Sequence, residues 1–366
     1  MTERILTCAS PPANPMRIPV TVLTGYLGAG KTTLLNRILS APQGRRTAVI
    51  VNELGEIGID AELIVAVGEE LFELSNGCVC CTVRGDLIRT LHGLLSRPGT
   101  FDAIVVETTG LADPGPVAHT FFIDPLLATR TQLDSVTTVV DARHIGLRLA
   151  DSREAAEQIA FADQIVLNKI ELVAVDELPG IEARLRALNP LAPIHRASRA
   201  DVPLDLILGR GGFDLERIGK LELEAIYPTG PGHGEPNLVE PNLVEAGHVH
   251  DEHCGHEPGR GHVHDSGITS ISLSARQPMD RERIEAWLTR LFAEQGADIL
   301  RAKGIIDVAG EDRRLVFQAV HMLLDADFQR PWTSSDARSS RLVFIGRNLD
   351  RAALEADFEA CAFVRS

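Results

Sequence analysis

The chain is short of cysteine, of positive charge and of long apolar runs, and each shortage removes a class of protein. Six cysteines in 366 residues are no framework of disulfide staples. Lysine and arginine total 36 against 51 for aspartate and glutamate, a net charge of −15 that repels a phosphate backbone and excludes nucleic acid as a partner. No stretch reaches membrane-spanning length, and the opening "MTERILTCASPPANPMRIPV" has no basic region followed by an apolar run. These absences predict a cytoplasmic protein with no membrane partner, in which thiols stay reduced and clustered cysteines mean metal or redox chemistry.

What is present is enough for two cores. At 366 residues and 44% apolar composition the chain exceeds the usual span of one hydrophobic core. Residues 1–16 read as a disordered lead-in. Over 17–215 the β-branched runs "RIPVTVLT", "TAVIVN", "DAIVVE", "SVTTVVD" and "QIVLN" alternate with helical patterns such as 33–39 and 86–95, the pattern of an open α/β sheet with crossover helices. Ligands are then expected at the carboxyl ends of its strands. Residues 216–266 are rich in Gly, Pro and His and contain EPNLV twice in tandem, which predicts a mobile linker. From 267 to 366 strand and helix patterns return, predicting a small α+β domain of mostly antiparallel strands.

"GYLGAGKT" at 25–32 fits the phosphate loop G-x-x-x-x-G-K-S/T between an apolar strand and a helix. Glycines at 25, 28 and 30, with Ala29, let backbone N–H groups turn inward around a phosphate, and the following helix, through Thr33, adds its positive end. Lys31 is the expected bridge between β- and γ-oxygens, and the Thr32 hydroxyl the expected Mg²⁺ ligand. The strand "AIVVE" ends in Glu107, placed as the second acidic Mg²⁺ group, and Gly110 follows as the candidate γ-phosphate sensor. "LNKIE" presents Asn168, Lys169 and Glu171 in the spacing of a guanine reader, because an acidic side chain accepts from both N1–H and the exocyclic amine of guanine. GTP is therefore favoured over ATP. No arginine finger or catalytic base is evident, so slow hydrolysis is expected.

Three of the six cysteines, Cys78, Cys80 and Cys81, crowd into "NGCVCC". They can be read as metal ligands, a redox pair or small core residues. Flanking polar residues and the strain of a small disulfide ring favour a metal such as Zn²⁺, with a carboxylate, Glu53 or Glu56 of "NELGEIGID", as a further donor.

In this order "GYLGAGKTTLLNRIL", "VNELGE", "NGCVCC", "ETTGLADPGPVAHTFF" and "LNKIE" resemble the CobW-like family of P-loop GTPases, metallochaperone relatives of the nickel-insertion GTPases. "FQAVHMLLDADFQRPW" and "SRLVFIGRNLD" extend the resemblance toward the C-terminus. It implies thiolate ligands at Cys78, Cys80 and Cys81 with Glu56 joining the metal, and a GTPase that delivers zinc to a client metalloprotein, supplies cobalt for cobalamin synthesis, or activates a metalloenzyme. "ETTGLADPGPVAHTFF" resembles the zinc-linked branch more than the cobalamin one. Co²⁺ and Ni²⁺ suit the same donors as Zn²⁺.

Within the linker, His233, His248, His250, His253, His256, His262 and His264 stand together with Cys254, a weak auxiliary site in which neighbouring imidazoles gather metal. If that segment did the work and nucleotide were structural, the chain would be a metal store or sensor. The remaining histidines are expected to be structural or surface groups, and the C-terminal domain a client-docking or homo-oligomer surface.

Overall fold

The computed structural model describes residues 17–41, 46–51, 70–73, 81–97, 101–213, 215, 267–334 and 336–364. Glu53, Glu56, Cys78, Cys80 and the whole segment 216–266, with its histidines and Cys254, lie outside them. The first unit is built on β1 (Ile18–Thr24), β2 (Thr47–Val51), β3 (Glu70–Glu73), β4 (Ala103–Glu107), β5 (Thr131–Asp141), β6 (Gln164–Asn168) and β7 (Ile194–Arg196). They form one sheet in the order β3-β2-β4-β1-β5-β6-β7, every neighbouring pair parallel. The expected runs are all strands; β3 and β7 are additional, too short for a run of their own to show.

Parallel strands need crossover helices on both faces, and the apolar residues alternate accordingly. Val20, Val22, Ile50, Ile104 and Val106 face one layer, which includes the helices α2 (Cys81–Leu95), α3 (Pro114–Ile123) and, with α4 (Pro125–Arg130) and α5 (Ile145–Asp151) between, α6 (Arg153–Phe161). Leu23, Val49, Val105, Val139 and Val166 face the other. There α1 (Lys31–Ser40) buries Leu34, Leu35, Ile38 and Leu39 along one stripe. Beyond β6, α7 (Leu178–Leu188) packs Leu178 and Leu185 against Ile165 and Leu167.

The second unit is a sheet of five strands, β8 (Ile268–Ala275), β9 (Ile299–Ile306), β10 (Arg313–Val320), β11 (Leu323–Pro331) and β12 (Ser340–Arg347). Its order is β11-β10-β9-β12-β8, antiparallel throughout. The helices α8 (Arg281–Gln295) and α9 (Arg351–Ala360) cover one face, where Trp287 lies against Phe344 and Phe358. The opposite face, with Leu300, Val320, Val343 and Ile345, joins the same core cluster as Val117, Phe121 and Phe161 of the first unit. No helix among the described residues is long and apolar enough to cross a membrane.

Candidate functional site

Residues 25–30 connect the carboxyl end of β1 to α1, and three of their glycines have positive φ: Gly25 139°, Gly28 72° and Gly30 108°. At Gly30 glycine is required twice over, because its φ is left-handed and a Cβ would lie 2.4 Å from Asn168 Nδ2. Lys31, the first residue of α1, is buried and its Nζ donates to the carbonyls of Gly25 (2.9 Å) and Tyr26 (3.4 Å). The ammonium is thus folded back over the loop. Ala29 is buried, and Thr32 and Thr33 occupy the first turn of α1 beside Lys31.

The end of β6 is clipped to this loop. Asn168 Nδ2 donates to Ala29 O at 2.9 Å, while its Oδ1 accepts from the backbone N–H of Ala200 at 2.6 Å. Lys169, at φ 61°, donates to Gly28 O at 2.6 Å and to Asp141 Oδ2 at 2.8 Å. Both side chains therefore hold the loop rather than project freely from it. Glu171 is exposed, and hydrogen bonds from its own N–H and from Ser198 hold its carboxyl below the usual range, so it stands ionised as an acceptor. The segment after β7 that supplies Ser198 and Ala200 went unread in the sequence. Its signal was positional, the next carboxyl strand end of a parallel sheet, with Arg199 and Ala200 at positive φ.

Asp141, at the end of β5, was also missed. Burial pushes its carboxyl up, but hydrogen bonds from Lys169 and His144 outweigh burial and hold it below the ordinary range. His144, expected to be a scattered structural or surface histidine, places Nδ1 3.0 Å from Asp141 Oδ2. It lines a cavity of about 250 Å³ together with Tyr26, Gly28, Asp141, Arg148 and Lys169.

On the other side of β1, Glu107 is buried at the end of β4, beside Leu23 in register. Its carboxylate and the Thr32 hydroxyl are hard oxygen donors of the kind Mg²⁺ takes. Gly110 presses directly on the phosphate loop: a Cβ there would lie 2.5 Å from Leu27 Cδ2 and 2.7 Å from the Leu27 nitrogen. Asp113 caps α3 by accepting from Gly115 N at 2.8 Å.

Cys81 is the first residue of α2, and among the described residues no group of three His, Cys, Asp or Glu side chains is placed to hold a metal ion.

A loop of this geometry at the strand where the sheet order reverses, stitched to an Asn-Lys strand end, is the arrangement of a P-loop GTPase. Residues 19–196 match the family model described as CobW/HypB/UreG, nucleotide-binding domain, and residues 268–362 match the cobalamin synthesis protein cobW C-terminal domain. The chain is 34% identical over 345 residues to the zinc chaperone YjiA of Escherichia coli, covering 93% of this chain and 98% of that protein. It is 33% identical over 356 residues to the zinc-regulated GTPase metalloprotein activator 1 of Schizosaccharomyces pombe, covering 91% and 83%. A crystal structure of the Zn(II)-bound YjiA GTPase from E. coli aligns with a TM-score of 0.70 at 30% identity over 95% of this chain and 99% of that one. The protein belongs to the CobW/HypB/UreG family of P-loop GTPases.

Proposed function

We propose that this GTPase is a metallochaperone. It carries a divalent transition metal, zinc first, on Cys78, Cys80 and Cys81 with Glu56, and passes it to a client metalloprotein in the cytoplasm. Lys31, Thr32 and Glu107 handle the phosphates and Mg²⁺, Gly110 reads the γ-phosphate, and Glu171 reads guanine. The 216–266 segment gathers metal loosely, and the units 17–215 and 267–366 are the GTPase and client-facing domains.

The observation that carries the reading is the shared sheet edge. Because all seven strands run parallel, β3 ends at Glu73 on the same edge as the phosphate loop and Glu107, and the chain re-enters helix at Cys81. The connection bearing Cys78 and Cys80 therefore leaves the sheet two strands from β4, a separation of roughly 10 Å at one strand spacing per step. "NELGE" likewise begins where β2, the strand between them, ends. Metal ligands from these two connections would respond to the segments that rearrange with the γ-phosphate, and metal and GTP would then alter each other's affinity by the same factor.

Zn²⁺ affinity measured by chelator competition, for protein alone, with Mg-GDP and with a non-hydrolysable Mg-GTP analogue, tests this. Tightening of roughly tenfold with the analogue alone, lost in Cys80→Ser, is expected. Equal affinity in all nucleotide states sinks the chaperone mechanism. Deleting residues 233–264 should lower bulk metal capacity and leave the tight site; loss of both would make the chain a metal store.

A further inference from the structure

Helix α6 touches the nucleotide side of the molecule and the second sheet through adjacent residues. Gln158, buried at 1% exposure, donates from Nε2 to Gly110 O at 3.1 Å and to Ala112 O at 3.0 Å. Its own backbone carbonyl accepts from Thr138 Oγ1 at 2.7 Å, which ties the helix to β5. One residue earlier, Glu157 Oε1 accepts from Arg347 of β12 at 3.0 Å (Nε) and 2.6 Å (Nη2) and from Arg153 Nε at 2.6 Å. Just past the helix, Asp163 accepts from Arg301 and from Lys303 Nζ at 3.3 Å, both on β9. Glu157 and Asp163, six residues apart, thus tie this short helix and its end to β12 and β9, two neighbouring interior strands of the second sheet.

We infer that Gln158 is a positioning residue for the γ-phosphate response, and that α6 passes the position of the Gly110–Ala112 turn to the second sheet through the Glu157–Arg347 pair. The inference rests on the reading of Gly110 as the γ-phosphate sensor. Two hydrogen bonds from one amide to carbonyls two residues apart fix the orientation of that turn, while Gly110 leans on Leu27 of the phosphate loop. A shift of the turn toward a bound γ-phosphate must either break both bonds or move Gln158. Glu157, the preceding residue and about 100° around the same helix, would then have to repack against Arg347. Asp113, at the far end of the turn, belongs to the same group of charges. Burial raises its carboxyl pKa against the N–H of Gly115, with Glu157 adding to the rise and Arg347 and His321 opposing it. The turn is therefore held between the phosphate loop and residues of the second unit.

The test is the ratio of the affinities for a non-hydrolysable Mg-GTP analogue and for Mg-GDP, read with fluorescent nucleotides on the full chain. Gln158→Met keeps the shape and removes the donor; it should weaken the analogue about fivefold and leave GDP within about twofold. Arg347→Met, in the other unit, should weaken the analogue about twofold or more with GDP unchanged, as reciprocity demands. The double variant should be no weaker than Gln158→Met, because both act on one path. If Gln158→Met moves both nucleotides equally its role is structural, and if Arg347→Met leaves the ratio at the wild-type value there is no relay; either result overturns the inference. Should Gln158→Met fail to fold, Gln158→Asn, too short to reach both carbonyls, carries the same expectation. A wild-type protein that binds neither nucleotide would overturn the GTPase reading itself, a result distinct from an unchanged ratio.

Discussion

In the proposed nucleotide site Lys31 is a buried cation and Glu171 an exposed anion. Loop carbonyls already hold the Lys31 ammonium, so little ordering remains when phosphate arrives. Glu171 has no such enclosure, and the base-reading role proposed for it requires that it stay ionised, which its own N–H and Ser198 favour. Glu171→Gln replaces an acceptor of two guanine donors with a group that can accept only at its single oxygen. GTP affinity should fall by roughly tenfold or more while ATP affinity stays near its original value. Competition binding with both nucleotides checks this, and a parallel loss for GTP and ATP would show that Glu171 does not read the base.

Strand β9 concentrates the cost of joining two units. Arg301 is fully buried, reaches Asp163 and stacks 4.5 Å from the Phe213 ring centroid, and Lys303 follows two residues on along the same face. One fully buried cation and one largely buried one share a single carboxylate. Burial and the neighbouring Arg301 charge pull the Lys303 ammonium down from 10.5 to about 8, against the attraction of Asp163. Between that value and the ordinary lysine range the unfolded chain keeps a proton that the folded chain has released. The unfolded state then binds more protons, so this group's contribution to stability rises with pH across the window and is least below about 8. Urea midpoints at about pH 7.5 and 9.5 should show this gain in the wild type and lack it in Lys303→Met. Identical pH dependence in the two proteins would place the lysine outside the linkage. Asp163→Ala removes the one carboxylate both cations share, and a loss of about 3–5 kcal/mol is expected in the same assay.

At the scale of the molecule, the two sheets do not own separate cores. Ile268, Leu300, Val320, Val343 and Ile345 of the second sheet share a buried cluster with Val117, Phe121, Ala160 and Phe161 of the first unit, and Arg347 and Arg301 close its margin with Glu157 and Asp163. Scanning calorimetry should therefore record one cooperative transition, which a saturating Mg-nucleotide raises as a whole. Two resolved transitions, only one of them moved by nucleotide, would mean that the shared cluster does not couple the units.

The sequence by itself determined what depends on local spacing. The strand, glycine loop and helix at 18–40 follow from contiguous residues, as do the alternation of strands and helices that makes the first sheet parallel and the antiparallel pattern after 267. The ordered motifs were enough to place the chain in its family. Only the tertiary structure decided the features that rest on distant partners. β3 and β7, with four and three residues, have too little length to carry a period and exist because β2 and β6 offer an open edge. β11, at the edge of the second sheet, alternates Leu324, Ala326 and Phe328 with Asp325, Asp327 and Gln329, and only its pairing with β10 lays the first three against the core. Asn168 and Lys169 read as parts of a base site, yet their side chains also clamp the phosphate loop. That clamp forms only once β6 lies two strands from β1. Nothing in the local sequence singles out Arg301, Lys303, Arg347 or Gln158. Burial of such groups is settled by a partner far along the chain, a carboxylate or carbonyl that spacing along the sequence cannot reveal.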